Sequence, residues 1–334
     1  MTAPCTLPGF VDLQVNGFAG VDFNDPAIAV DDVARAIAAM RATGVTRCLP
    51  TLITSSFESF AACARTIVRA GDDAGAGPTR AVIAGLHMEG PYISPVDGVR
   101  GAHPRAHVRD ATIDDFERRQ DAAEGRIRLV TLAPEVSGAI ALIEHLVARG
   151  IRVAIGHTNA SADEIRDAVS AGATLSTHLG NGCALTLPRH PNILWEQLAH
   201  DALLASFIVD GHHLPAATVK AMMRAKTPAR ALLVTDAIAA AGCPPGVYTI
   251  GGLQVELSPS GRVSPPGAAH LAGSALSMDR AIGHTVRFTG LPFEQVVAMA
   301  TTTPAAFIGI EPAGQVDATW DAEACVLSVH AVRD

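Results

Sequence analysis

Residues 152–182, RVAIGHTNASADEIRDAVSAGATLSTHLGNG, hold one full turn of a pattern that runs through most of the chain. A short β-rich run, Arg152–Ile155, gives way at Gly156-His157 to polar residues. Ala162–Ala171 follows, with apolar residues three and four apart, the period of a helix packed on one face. A second β-rich run, Thr174–Thr177, again ends on a histidine, His178. Strand, polar turn, helix, strand is the grammar of a parallel α/β fold.

The same alternation extends in both directions. Strands are predicted near Phe10–Val15, Arg47–Leu52, Val82–Glu89 and Ile127–Leu132 upstream, and near Ala205–Val209 and Ala231–Thr235 downstream. Helices are predicted over Val30–Thr43, Phe57–Ala70, Gly138–Arg149 and Ala216–Ala225. Eight strands alternating with helices argue for a closed TIM-like (β/α)8 barrel rather than an open doubly wound sheet, and no GxGxxG follows the first strand. Beyond the eighth strand, Tyr248–Val263 reads as a β-hairpin turning at Ser258-Pro259-Ser260-Gly261. Ser277–Phe288 and Pro292–Met299 return to helix, and Val316–Val329 is again β-like. One domain with a small β appendage is the expected organisation.

Composition sets limits. The 334 residues are 49% hydrophobic and 17% charged, enough apolar chain for a large core. Mean hydropathy is +0.27, yet the apolar runs break before ~18 residues, so no membrane partner is expected. A net charge of −8 argues against nucleic acid, whose phosphates need a basic surface. An anionic small molecule remains compatible, since a few aimed Arg side chains suffice to bind it. Six scattered cysteines without a CxxC, and a start with no charged and apolar leader, give a cytoplasmic expectation.

In such barrels chemistry comes from the C-terminal strand ends. There the chain places Glu89, His157, His178 and Asp236, with Asp210 and His213 after the seventh strand. Two imidazoles and a carboxylate form a ligand set for Zn²⁺ or another first-row divalent ion, and a free carboxylate beside them is a general base. Taken singly, each residue also has an ordinary explanation: a hydrogen-bonded strand-end His, a helix-capping Asp, a turn Glu. Their coincidence at successive strand ends favours the metal site.

These segments resemble the N-acetylglucosamine-6-phosphate deacetylase family of the metal-dependent amidohydrolases. PGFVDLQVNG, GLHMEGPYIS followed by GAH, TLAPE, GHTNA, THLGNG, DGHH, LVTDA and LAGSALSM occur in family order. The resemblance implies hydrolysis of the acetamide of an amino-sugar phosphate. Glu89, His157 and His178 match metal ligands, and Asp236 matches the acid/base. Ala102 and His103 match a substrate-contacting pair in which the imidazole helps polarise the carbonyl. Asn181, Gly182 and Asp210 fall in the substrate-binding segments, and Leu271, Ala272 and Gly273 match a loop over the sugar. Arg189 and His213 match phosphate-side residues contributed by a neighbouring subunit, which implies a homodimer.

Three departures qualify the match. The superfamily's His-x-His after the first strand reads Gln14-Val15-Asn16; amides are poor zinc ligands, so one metal per subunit is expected, zinc first, with iron, cobalt or manganese tolerated by the same donors. Family members also carry several tens of residues of β-sandwich ahead of the barrel. Here a barrel over residues 8–310 is expected, with 1–7 and 311–334 as the remnant of a reduced or missing small domain whose strand edges need cover. Finally, the family's Asn-Ala-Met reads Asn181-Gly182-Cys183, with Cys183 read as a small filler. The alternatives are therefore an unphosphorylated N-acyl amine or cyclic amide as substrate, or a non-catalytic sugar-phosphate-binding barrel.

Overall fold

A computed structural model describes residues 2–72, 81–250, 253–268 and 270–334. The chain opens with β1 (Thr2–Pro8), and the barrel follows as β2 (Phe10–Val15), β3 (Val45–Ile53), β4 (Leu86–Glu89), β5 (Ile127–Leu132), β6 (Arg152–Ile155), β7 (Leu175–Ser176), β8 (Leu204–Phe207) and β9 (Ala231–Leu233). Each barrel strand pairs in parallel with its sequence neighbour, from β2 round to β9. Strands buried on both faces carry almost unbroken apolar sequence, as Leu129, Val130, Val153 and Ile155 do here. The predicted strand from Val82 begins only at Leu86; Ile83 contributes a lone bridge to Cys48.

The ring is shut past the end of β9. Val15 bridges Ala237, the Asp236 amide donates to Gln14 O at 2.8 Å, and buried Asp12 spans the seam. Asp12 Oδ2 accepts from the Thr235 hydroxyl at 2.5 Å, while Oδ1 accepts the Thr235 and Gln14 amides. A three-residue last strand cannot close a barrel with its own ladder, and this carboxyl group supplies the missing partner.

The helices include α1 (Val30–Ala42), α2 (Phe57–Asp72), α3 (Ile113–Ala122), α4 (Ala139–Ala148), α5 (Ala162–Ser170), α6 (Ile193–Ala199), α7 (Ala216–Lys226), α8 (Met278–Thr289), α9 (Phe293–Met299) and α10 (Thr302–Ile308). Their starts are written locally: Ser161 and Glu164 form a capping box on α5, Thr112 caps α3, and Asn192 accepts two amides of α6. Neither α3 nor α6 is among the helices expected from periodicity.

After β9 come β10 (Gly246–Ile250), β11 (Leu253–Leu257) and β12 (Val263–Ser264), an antiparallel sheet. The expected turn at 258–261 joins its second and third strands; the first connection lies outside the described residues. The last strands, β13 (Gln315–Asp321) and β14 (Val326–Arg333), pair as a hairpin, and β1 adds to the β13 edge. A small three-stranded sheet separate from the barrel is therefore present. Proline at positions 4 and 8 removes amide donors from its exposed β1 edge.

Candidate active site

Glu89 is the last residue of β4, and His157, His178 and Asp236 stand just beyond β6, β7 and β9. The latter three adopt positive φ, at 49°, 29° and 48°, a region non-glycine residues rarely enter. Such strain at three residues of one mouth is the mark of a built site. The turn aims each side chain across the mouth instead of along its strand. Space is cut for His157 by two glycines: a Cβ at Gly182 would lie 2.9 Å from Nδ1, and one at Gly101 3.2 Å from Cε1.

Glu89 Oε1, His157 Nε2 and His178 Nε2 form a nearly equilateral triangle with sides of 3.2, 3.1 and 3.0 Å. All three residues are buried. His157 Nδ1 donates to the Val99 carbonyl at 3.2 Å, which leaves Nε2 with its lone pair directed into the triangle. Three potential ligand atoms this close fit a cation about 2 Å from each, the bond length of N and O ligands to zinc, and the buried His178 Nδ1 has no partner of its own. Burial opposes the Glu89 charge, but the facing imidazoles outweigh it and hold the carboxyl well below its ordinary pKa.

Asp236, buried in the same mouth, is near enough to Glu89 and His178 to feel their charges. Burial, reinforced by the Glu89 charge, raises it to about 6, a value suited to taking and returning a proton near neutrality. Asn16 Nδ2 donates to Asp236 Oδ1 at 2.6 Å, and Gln14 Nε2 donates to Glu89 Oε1 at 2.9 Å. The amide pair that stands where the superfamily's histidines were sought therefore orients the two carboxylates. His103 edges the His157 ring at 4.2 Å between centroids, and burial, then His157, lowers its pKa to about 3, so it is a neutral imidazole. His87 lies inside the barrel rather than in the mouth, with Nε2 2.8 Å from Thr131 Oγ1.

The remaining expected residues divide. Gly182 meets His157 as described, whereas Asn181 turns its amide back onto the His178 carbonyl. Ala102 is exposed beside buried His103. Gly273 lies close over Ile238, and the Ala272 amide donates to Val263 O, so Leu271–Gly273 forms a packed wall. Asp210 accepts the amides of His212 and His213 and also His213 Nδ1, at 2.7 Å, which makes it an anchor for His213. His213 is bonded to Asp210 of its own chain. Arg189 is exposed on the loop before α6, outside the mouth. Gln14, Asn16, Thr54 and Glu135 were not among the expected site residues. Glu135, in the TLAPE segment, accepts from the Thr158 hydroxyl and the Asn159 amide, fixing the turn that carries His157.

Barrel, ligand triangle and neighbouring carboxylate together define a metal-dependent hydrolase of the amidohydrolase type. The amidohydrolase family model matches residues 6–332. The chain belongs to that family and, within it, to the N-acetylglucosamine-6-phosphate deacetylases. The human N-acetylglucosamine-6-phosphate deacetylase is 38% identical across 97% of this chain and 80% of its own length. The Escherichia coli O157:H7 N-acetylgalactosamine-6-phosphate deacetylase is 35% identical across 92% and 79%. A variant of the Mycobacterium smegmatis N-acetyl-D-glucosamine-6-phosphate deacetylase, solved with N-acetyl-D-glucosamine-6-phosphate, superposes with a TM-score of 0.87. It is 33% identical and covers 99% of this chain and 85% of that one.

Proposed function

We propose that the protein hydrolyses the acetamide of N-acetylglucosamine 6-phosphate, or a close amino-sugar phosphate, to the free amine and acetate. The observation that carries this reading is the convergence of Glu89, His157 and His178 beside Asp236 in a chain of this family. One divalent ion, zinc by the chemistry of an N₂O donor set, supplies Lewis acidity toward the carbonyl and a lowered pKa for the attacking water when bound. Asp236 takes the water proton as the new C–O bond forms and delivers it to the nitrogen as the C–N bond breaks. His103 lies beside the same carbonyl, uncharged, and His213 and the Leu271–Gly273 wall line the sugar side.

Arg189 is assigned the phosphate, across a homodimer interface. Its loop also exposes Leu185 (98%), and α6 exposes Trp195 (55%), apolar side chains that a second copy would cover. A cytoplasmic site is consistent with six cysteines, none of them paired.

The test is acetate release from N-acetylglucosamine 6-phosphate, its galactosamine epimer and unphosphorylated N-acetylglucosamine, with metal quantified. Phosphate-dependent release that Arg189→Ala weakens mainly through KM supports the reading. Equal turnover of the unphosphorylated sugar, unaffected by that substitution, moves the substrate to an uncharged N-acyl amine. Tight sugar-phosphate binding without turnover in the metal-loaded protein supports a binding barrel instead.

A further inference from the structure

Thr54, one residue past β3, is buried at 1% exposure and turns both of its polar groups toward His103. Its backbone N–H points at His103 Nδ1 at 3.4 Å, and its Oγ1 lies 2.9 Å from the same nitrogen. A hydroxyl can donate or accept, so that contact alone leaves the ring's proton undecided. A backbone amide can only donate. Facing it, Nδ1 must be the acceptor, and in a neutral imidazole the proton then sits on Nε2.

The surroundings hold that arrangement. Gly90 makes room for the hydroxyl, since a Cβ there would sit 2.2 Å from Thr54 Oγ1. Arg100 donates to the His103 carbonyl and to Asp97, pinning the backbone of the loop. The His157 ring lies against the His103 ring at 61° and restricts its rotation. Nε2 is 3.8 Å from Glu89 Oε2, beyond hydrogen-bond range, and is turned to the mouth.

We propose that Thr54 is a positioning residue that fixes His103 as its Nε2–H tautomer, so that a neutral N–H is aimed at the place where the acyl oxygen gains negative charge. This rests on the deacetylase reading. A donor set before the reaction begins stabilises the transition state without reorganisation, and its loss is read in kcat more than in KM.

The experiment uses zinc-loaded enzyme with ¹⁵N-labelled histidine, the His103 ring signals being assigned with His103→Gln. The expected result is a protonated Nε2 and an unprotonated Nδ1 in the unsubstituted protein. Thr54→Val keeps the shape but loses the 2.9 Å hydroxyl contact, so that only the longer 3.4 Å amide contact is left to hold Nδ1 as acceptor. It should lower kcat roughly three- to tenfold, the effect of one neutral hydrogen bond, with KM unchanged and the ring signals moved toward a tautomer mixture. Thr54→Ser should restore both. A proton found on Nδ1 overturns the proposal, as does a fall in kcat with an unchanged spectrum, which a merely structural role would give. Unaltered rate and spectrum in Thr54→Val overturn it as well. If Thr54→Val does not fold, the spectrum of the unsubstituted protein decides. Absence of acetate release from every amino-sugar phosphate would instead count against the deacetylase reading, and the tautomer would still be readable.

Discussion

The side-chain amide of Asn16 donates a 2.6 Å hydrogen bond to Asp236 Oδ1, joining the first barrel strand to the carboxylate that follows the last. Asn16→Leu removes the donor at similar volume. A hydrogen bond to a charged group is worth about 1.5–3 kcal/mol, so kcat/KM should fall roughly tenfold to a hundredfold. That bond also holds the Asp236 pKa down, so the acid limb of the pH–rate profile should move to higher pH in the variant. A profile identical to that of the unsubstituted enzyme would contradict the role given to Asn16. Asp236→Asn, by comparison, should retain metal and lose about 10²–10⁴ in turnover.

Gln14 meets Glu89 as Asn16 meets Asp236, and amide oxygens are poor ligands for a second zinc ion. Dialysed protein should hold about one divalent metal per chain by elemental analysis. Gln14→Leu frees Glu89 to rotate and should weaken metal affinity about 10–100-fold, as loss of a supporting hydrogen bond does at other metal sites. Chelation should abolish activity and metal return should restore it. Two ions per chain would remove the basis for this prediction.

Asp12, sealed in the barrel seam, is raised by burial from 3.8 to about 7 despite the hydrogen bonds it accepts from Thr235 and Gln14. A carboxyl whose pKa rises on folding favours the folded state when protonated. Its contribution is therefore greatest below pH ~4 and is lost as pH climbs to about 7. Asp12→Asn can still accept both amides, while the Thr235 hydroxyl turns to Gln14 O. The melting temperature of the variant, relative to the unsubstituted protein, should increase across pH 4–7 and level off above. A constant difference would mean that Asp12 does not titrate in the folded protein.

Lys226 is fully buried at the end of α7 and donates to the carbonyls of Gln197 and His200, at 2.7 and 2.8 Å. It caps the C-terminus of α6, where carbonyls lack intrahelical partners. Lys226→Met should cost about 2–3 kcal/mol, because the freed carbonyls stay buried; a shifted urea midpoint with an unchanged slope is the readout. The loop carrying Arg189 leads into α6, so KM for a phosphorylated substrate should rise with it.

The strands were readable from sequence because parallel barrel strands are unbroken apolar runs between polar turns; Arg152–Ile155 and Ile127–Leu132 coincide with their predicted limits. Ile113–Ala122 was harder, since six of its ten residues are charged and its one deeply buried aromatic, Phe116, leaves no strong periodicity. Ile193–Ala199 is two turns long, too short for periodicity to speak. Glu89, His157, His178 and Asp236 could be found because metal and acid/base chemistry is confined to a few residue types at strand ends. Gln14 and Asn16 could be recognised only as absent ligands, because their role depends on the carboxylates opposite. Thr54 carries no signal at all: a threonine ending a strand is ordinary until the ring beside it is seen.

The placement of β1 has a consequence for the order in which the molecule is made. Thr2 finds its partner at Asp321 and Pro8 finds its partner at Gln315, each more than three hundred residues downstream. During synthesis the barrel strands can associate as they emerge, each beside the one before it. Residues 2–8 must wait, unpaired, until residues 315–321 have left the ribosome. Attachment of β1 to the β13–β14 hairpin is therefore a long-range step that can come only after the barrel strands have been made.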